Sequence, residues 1–236
     1  DKMPTAWEEA WGTGLNPGIK LVCGSCLSNN VMYSTPKMAG TTFTFTLAPD
    51  YGSSDTADKA TSNTEDNSGS SYDATININP SMGTELLSGL NFFAGASTIE
   101  SYNNSATEED QYQAVGGITF DIGPVSLGWQ VSGLSLGEQS SATTYNAYKN
   151  QAFGISFNVN DDLSLSYGKH TTRKAGYNNS NVQSGEGTRR VEVKSLQAAY
   201  SMGGASIAIA SSESTNHLFV NAATRNATTL SLGLAF

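Results

Sequence analysis

The stretch Thr41-Thr42-Phe43-Thr44-Phe45-Thr46-Leu47 (TTFTFTL, residues 41–47) puts Phe43, Phe45 and Leu47 on one side of an extended chain and threonines on the other. A period of two marks a strand with one apolar face, because successive side chains leave a strand on opposite sides. The scheme returns at Val125, Leu127, Trp129 and Val131, and again at Phe153, Ile155, Phe157 and Val159. Leu163, Leu165 and Tyr167 repeat it, as do Leu230, Leu232, Leu234 and Phe236 at the end of the chain. With glycine, proline and polar clusters read as strand ends, strands are predicted over 28–36, 39–49, 72–80, 85–102, 110–122, 124–137, 146–160, 162–174, 190–202, 205–216 and 227–236. The connections between these eleven segments alternate in length. Short ones fall at Thr35–Ala39, Pro80–Thr84, Asp121–Pro124, Asn160–Asp162 and Met202–Gly204. Long polar ones fall at Asp50–Ser71, Asn103–Glu109, Gly137–Tyr145, Thr171–Arg189 and Ser212–Asn226. Tight turns at one end and long loops at the other describe an up-and-down meander.

Composition agrees with an all-β chain. Glycine reaches 24 of 236 residues, charged residues make up only 14%, and long runs of good helix formers are missing. The net charge of -9 argues against a nucleic-acid partner. Mean hydropathy is -0.30 and no run of 18 apolar residues occurs, so no conventional transmembrane helix is expected. Barrel strands escape that test, because alternation averages to a mildly polar score. Any export leader is expected to lie outside these residues.

The two faces of each strand separate a soluble sandwich from a membrane barrel. A sandwich would carry many Lys and Glu on its outer faces, whereas here the non-apolar face is Gly, Ser, Thr, Ala and Gln. Small polar residues inside and Leu, Phe and Val outside suit a barrel whose lipid-facing side is the apolar one. Its backbone groups must all be paired, so the sheet is expected to close. Tyr33, Tyr51, Tyr72, Tyr102, Tyr112, Tyr145, Tyr148 and Tyr177 lie near strand ends, where interfacial girdles would sit.

The terminal pattern Leu230-x-Leu232-x-Leu234-x-Phe236 resembles the C-terminal strand of bacterial outer-membrane proteins, which serves that family as its assembly signal. Residues 29–52 (NNVMYSTPKMAGTTFTFTLAPDYG) are similar to the strand–turn–strand after the third loop of general diffusion porins. Residues 1–14 (DKMPTAWEEAWGTG) look like the start of that loop. The resemblance spans the chain in architecture and is motif-level at its two ends. It implies a single outer-membrane barrel domain, 1–236, with an inward-folded constriction loop at 1–27 and barrel strands and loops over 28–236. In a sixteen-stranded porin, strands six to sixteen number eleven. The chain is therefore expected to be a C-terminal portion, with five strands, on the order of 100 residues, upstream. A complete twelve-stranded barrel is the alternative, opposed by Gly12, Gly14, Pro17 and Gly18 where its first strand would run.

The resemblance also implies a water-filled channel for passive diffusion of small hydrophilic solutes and ions, a homotrimer, and outer-membrane lipid and lipopolysaccharide as surroundings. No cofactor and no metal are implied. In the family, acids on the inward loop face basic residues of the wall. Asp1, Glu8 and Glu9 are the acidic candidates here, and Lys20 their basic neighbour. The family's glutamate after the Leu-Pro pair is Thr5 in this chain, which displaces or weakens that acidic site. Lys169, Arg173, Lys174, Arg189 and Arg190 flank one long loop, with Lys194 on the next strand. They read as an anion-attracting vestibule, as contacts to lipopolysaccharide phosphates, or simply as solvated charges at strand ends. The acidic clusters Asp55, Asp58, Glu65, Asp66 and Glu108, Glu109, Asp110 lack the spacing of a calcium loop.

Cys23-Gly24-Ser25-Cys26 holds the only two cysteines. By spelling alone it fits a redox pair, half a metal site or a clip. Maturation through an oxidising periplasm, which the resemblance implies, leads to the expectation of a Cys23–Cys26 disulfide. Two other functional classes bear on the same pattern. An adhesive or structural barrel would share the strand pattern. A hydrolase would need one of the two histidines, His170 or His217, yet Gly154-Ile155-Ser156-Phe157 is not a nucleophile elbow and no zinc-protease or phosphate-loop motif occurs.

Overall fold

In a computed structural model of the chain, residues 2–8, 14–25, 28–49, 68–80, 87–101, 110–136, 145–176 and 190–234 are described. They form one antiparallel sheet of eleven strands whose spatial order is their chain order. The strands are β1 (Val31–Ser34), β2 (Thr41–Ala48), β3 (Ser68–Ile78), β4 (Leu90–Ser101), β5 (Gln111–Ile122) and β6 (Val125–Ser135), then β7 (Tyr145–Asn158), β8 (Leu163–Gly176), β9 (Arg190–Met202), β10 (Ala205–Thr215) and β11 (Thr224–Leu234). The expected meander of eleven strands is what forms. Among the described residues no ladder joins β11 to β1, so the sheet is an open wall with two free edges.

Register fixes which side chains share a face. Phe45 pairs with Tyr33, Phe43 with Ile76, Trp129 with Phe153 and Ile209 with Leu230. These residues, with Leu196, Leu232 and Leu234, are large, apolar and mostly well exposed on the convex side. The opposite side carries Ser71, Ser97, Gln113, Gln130, Asn150, Thr172, Ser195 and Gln197, all buried. Apolar exposed and polar buried is the reverse of a soluble domain, and it is what lipid outside and a polar interior demand.

Four expectations need correction. The long loop predicted at Ser212–Asn226 is a short turn, because β10 runs to Thr215 and β11 starts at Thr224, with a 3-10 turn at His217–Phe219 between them. The alternating pattern faded there because the strand ends are polar, not because pairing stops. Tyr148 belongs to no girdle; it lies on the inner face, edge-on to Phe219 with ring centroids 6.3 Å apart. The inner face is not uniformly polar, since Val191 and Val193 form a buried cluster with Leu15 and Phe219. Nor is the outer face free of charge: Lys169, Arg190 and Lys194 bond Glu192 there. Tyr51, Tyr102, Tyr177 and the acidic residues 55–66, 108 and 109 lie outside the described residues.

Candidate functional site

The described parts of residues 2–25 lie across the concave, polar face of the wall in two laps. On the outward lap the Lys2 amide donates to Gln130 Oε1 on β6 at 3.2 Å, and the Ala6 amide to Ser166 Oγ on β8 at 2.8 Å. Gln197 on β9 grips Glu8 with both ends of its side chain. Its Oε1 accepts from the Glu8 amide at 3.0 Å, and its Nε2 donates to the Glu8 carbonyl at 2.7 Å. Thr5 uses Oγ1 to accept from the Trp7 amide at 3.1 Å and so shapes the bend between these anchors.

The lap can sit this close because Gly128, Gly154 and Gly168 stand side by side on β6, β7 and β8. A Cβ on Gly154 would come within 2.8 Å of the Pro4 carbonyl oxygen, and one on Gly128 would run into the Pro4 ring. Three adjacent glycines make a smooth trough for Met3 and Pro4.

On the return lap, Leu15 packs into the Val191–Val193–Phe219 cluster, with Ile19 and Tyr148 at its margin. Asn150 on β7 donates to the Lys20 carbonyl at 2.8 Å. Gln113 on β5 accepts from the amides of Cys23 and Gly24 at 2.8 and 3.0 Å. The lap ends at β3, where the Asp73 carboxylate accepts from the Ser25 amide at 2.8 Å and from Ser97 Oγ at 2.5 Å, while Ser25 and Ser71 share a buried hydroxyl contact of 2.7 Å. On β7 the outward lap meets Gly154 and the return lap Asn150. Four residues at about 3.3 Å each place the return lap about 13 Å nearer the long-loop ends.

The turn between β10 and β11 closes over this lap. The Leu218 amide donates to the Pro17 carbonyl at 3.2 Å, and Lys174 Nζ sits 4.6 Å from the centroid of the Phe219 ring it covers. Asn216, Leu218, Phe219 and Ala222 all have positive φ, between 53° and 63°. A left-handed leucine or phenylalanine is strained, and persists where surrounding contacts over-determine it.

No family model and no curated protein matches the sequence. Solved structures do. An anion-selective porin from Comamonas acidovorans superposes with a TM-score of 0.65 at 12% identity, over 88% of this chain and 59% of that one. The outer-membrane channel DcaP of Acinetobacter baumannii gives 0.61 at 10%, over 88% and 62%, and a further porin gives 0.55 at 13%, over 87% and 60%. The chain has the porin fold. It spans about three-fifths of the length of the porins it matches.

Within that porin fold the sequence-predicted residues scatter. Glu8 lies on the outward lap and Lys20 on the return lap, both with exposed side chains and with their backbones tied to the wall. Asp1, Glu9, Cys26, Arg189 and Phe236 lie outside the described residues. Cys23 is held through its amide by Gln113. Lys169, Arg173 and Arg190 are on the outer face, away from the concave side, whereas Lys174 is on the inner face. Leu230, Leu232 and Leu234 line the outer face of β11. His170 is buried on the inner wall, in the small cavity under Met3–Glu8. His217 Nδ1 lies 3.3 Å from Ser214 Oγ inside the β10–β11 turn. Sequence reading missed the residues that do the anchoring: Gln113, Gln130, Asn150, Gln197 and Asp73. Their signal was there, as long polar side chains standing on a face otherwise made of glycine, serine and threonine.

Proposed function

We propose that this chain is wall and inward-folded segment of an outer-membrane porin, a water-filled channel for passive diffusion of small hydrophilic solutes and ions. One observation carries the reading: a segment of its own chain lies along the polar concave face of a sheet whose convex face is apolar. Such a wall suits lipid outside and water inside, and a segment lying on its wet side narrows the passage and sets its charge. The similar solved structures, one of them an anion-selective porin, support the reading. The unpaired edges of β1 and β11 would be satisfied by further strands closing the barrel. Glu8 and Lys20, with Asp1 and Glu9, would set the local field in the constriction. Cys23 and Cys26 would pair as a disulfide that fixes the exit of the segment before β1.

Planar-bilayer recording on the full-length protein tests this. Stepwise single-channel conductance is expected, changed by reductant while the heat stability of the barrel stays nearly constant, since so short a loop adds only about 2 kcal/mol on the chain-entropy estimate. Silence at high protein load would sink the channel reading. Conductance indifferent to reductant would sink the clip.

A further inference from the structure

Among the described residues, the cations on the outer face of the strands gather in one place, at the long-loop ends of β7, β8 and β9. Lys149 pairs across to Arg173, and Arg173 to Arg190; four residues lower, past the Thr171–Glu192 pair, Lys169 pairs across to Lys194. Five cations thus occupy an area about 13 Å along the strands and about 10 Å across them. The carboxylates on this face of β7–β10, among the described residues, are Glu192 and Glu213. Glu192 sits at the centre, bonding Lys169 at 3.0 Å, Lys194 at 3.2 Å and Arg190 at 3.3 Å. It aligns three side chains whose outward sides stay half open to the surroundings. In a chain of net charge -9 such a concentration of cations is not a general surface property.

Phe153 stands level with Lys169, and directly toward the membrane from there the same face is apolar: Tyr167, Leu196 and Leu165 follow, with Leu196 64% exposed. Cations above an exposed apolar strip match an amphiphile with anionic oxygens above and acyl chains below. A soluble anion would use the cations and leave the strip. The geometry points to a binding site for a phosphate-bearing lipid of the outer leaflet, of the lipopolysaccharide class, with its phosphates on Lys149, Arg173, Arg190, Lys169 and Lys194 and its chains along Phe153 and Leu196. The site rests on the outer-membrane part of the proposed function and not on conductance, because its side chains face away from the lumen.

The test is native mass spectrometry of the full-length protein in neutral detergent, titrated with lipopolysaccharide, with the same lipid after enzymatic removal of its phosphates, and with inorganic phosphate. Intact lipid is expected to bind and the other two to bind far more weakly. Lys149→Gln with Arg173→Gln is expected to lose roughly thirtyfold in affinity, while Arg173→Lys keeps most of it. Should the double variant not assemble, Lys149→Gln alone, at an exposed side chain, is expected to lose about fivefold. Equal binding of the dephosphorylated lipid, or undiminished binding by whichever variant assembles, overturns the site. Inorganic phosphate binding as tightly as lipid overturns it too, since the patch would then serve free anions. Single-channel conductance of the double variant stays at the wild-type value, so failure of the channel reading and failure of this one are told apart.

Discussion

Gln197 is the residue on which the outward lap turns. An amide side chain offers one acceptor and two donors, and here it satisfies both backbone groups of Glu8 and still reaches Ser195 Oγ at 3.0 Å. Serine is too short to reach the lap from this position, and a charged group would leave one half of the contact unmet. Gln197→Ala is expected to leave the wall intact and release Glu8. Two hydrogen bonds of about 1 kcal/mol each correspond to roughly thirtyfold faster amide exchange at Glu8. An unchanged exchange rate there would show that the lap is held by something else.

At the scale of elements, the turn between β10 and β11 is a latch under tension. Its left-handed residues are held by Asn216, which donates to the Arg190 carbonyl at 3.0 Å and accepts from the Ala222 amide at 3.0 Å, and by Phe219 in the apolar cluster. His217 is buried in the same turn, and burial, with Arg225 close by, holds its imidazole below the ordinary value of 6.5. The folded turn therefore takes up a proton less readily than the unfolded one. Its stability is full above about pH 6.5 and declines as the pH falls from there toward the lowered folded value. Amide-exchange protection across 216–223, each rate taken relative to the intrinsic rate at the same pH, is expected to fall from about pH 7.5 to pH 5, and His217→Phe should abolish that fall. Protection that does not respond to pH in the unmodified protein would refute it.

For the whole molecule, we expect three copies to associate, and an unheated native gel should show a band at about three times the monomer mass that collapses on boiling; a single monomer band would refute the trimer. The wall itself was legible in the sequence. Alternation such as Phe43-x-Phe45-x-Leu47 reports directly that one face of a strand differs from the other, and strands joined by tight turns pair in order. The path of residues 2–25 was not legible. Its anchors, such as Glu8 to Gln197, join positions 189 residues apart, and no local pattern announces a contact of that range. The side of the wall on which a cation sits was equally hidden, because Arg173 and Lys174 are neighbours in sequence and face opposite media. Tyr148 misled for the same reason: its place near a strand end was right, but the face was decided by register.

Beside the buried Leu15 side chain and the Ser25 hydroxyl, the wall holds the laps by hydrogen bonds to their backbone, through amides and carbonyls of residues 2, 6, 8, 20, 23, 24 and 25. Peptide groups are common to every sequence, so the seat does not read the identity of most side chains it carries. Residues such as Glu8 and Lys20 can be exchanged like cards in a fixed slot, and a lineage could retune what passes without redesigning the scaffold that presents it.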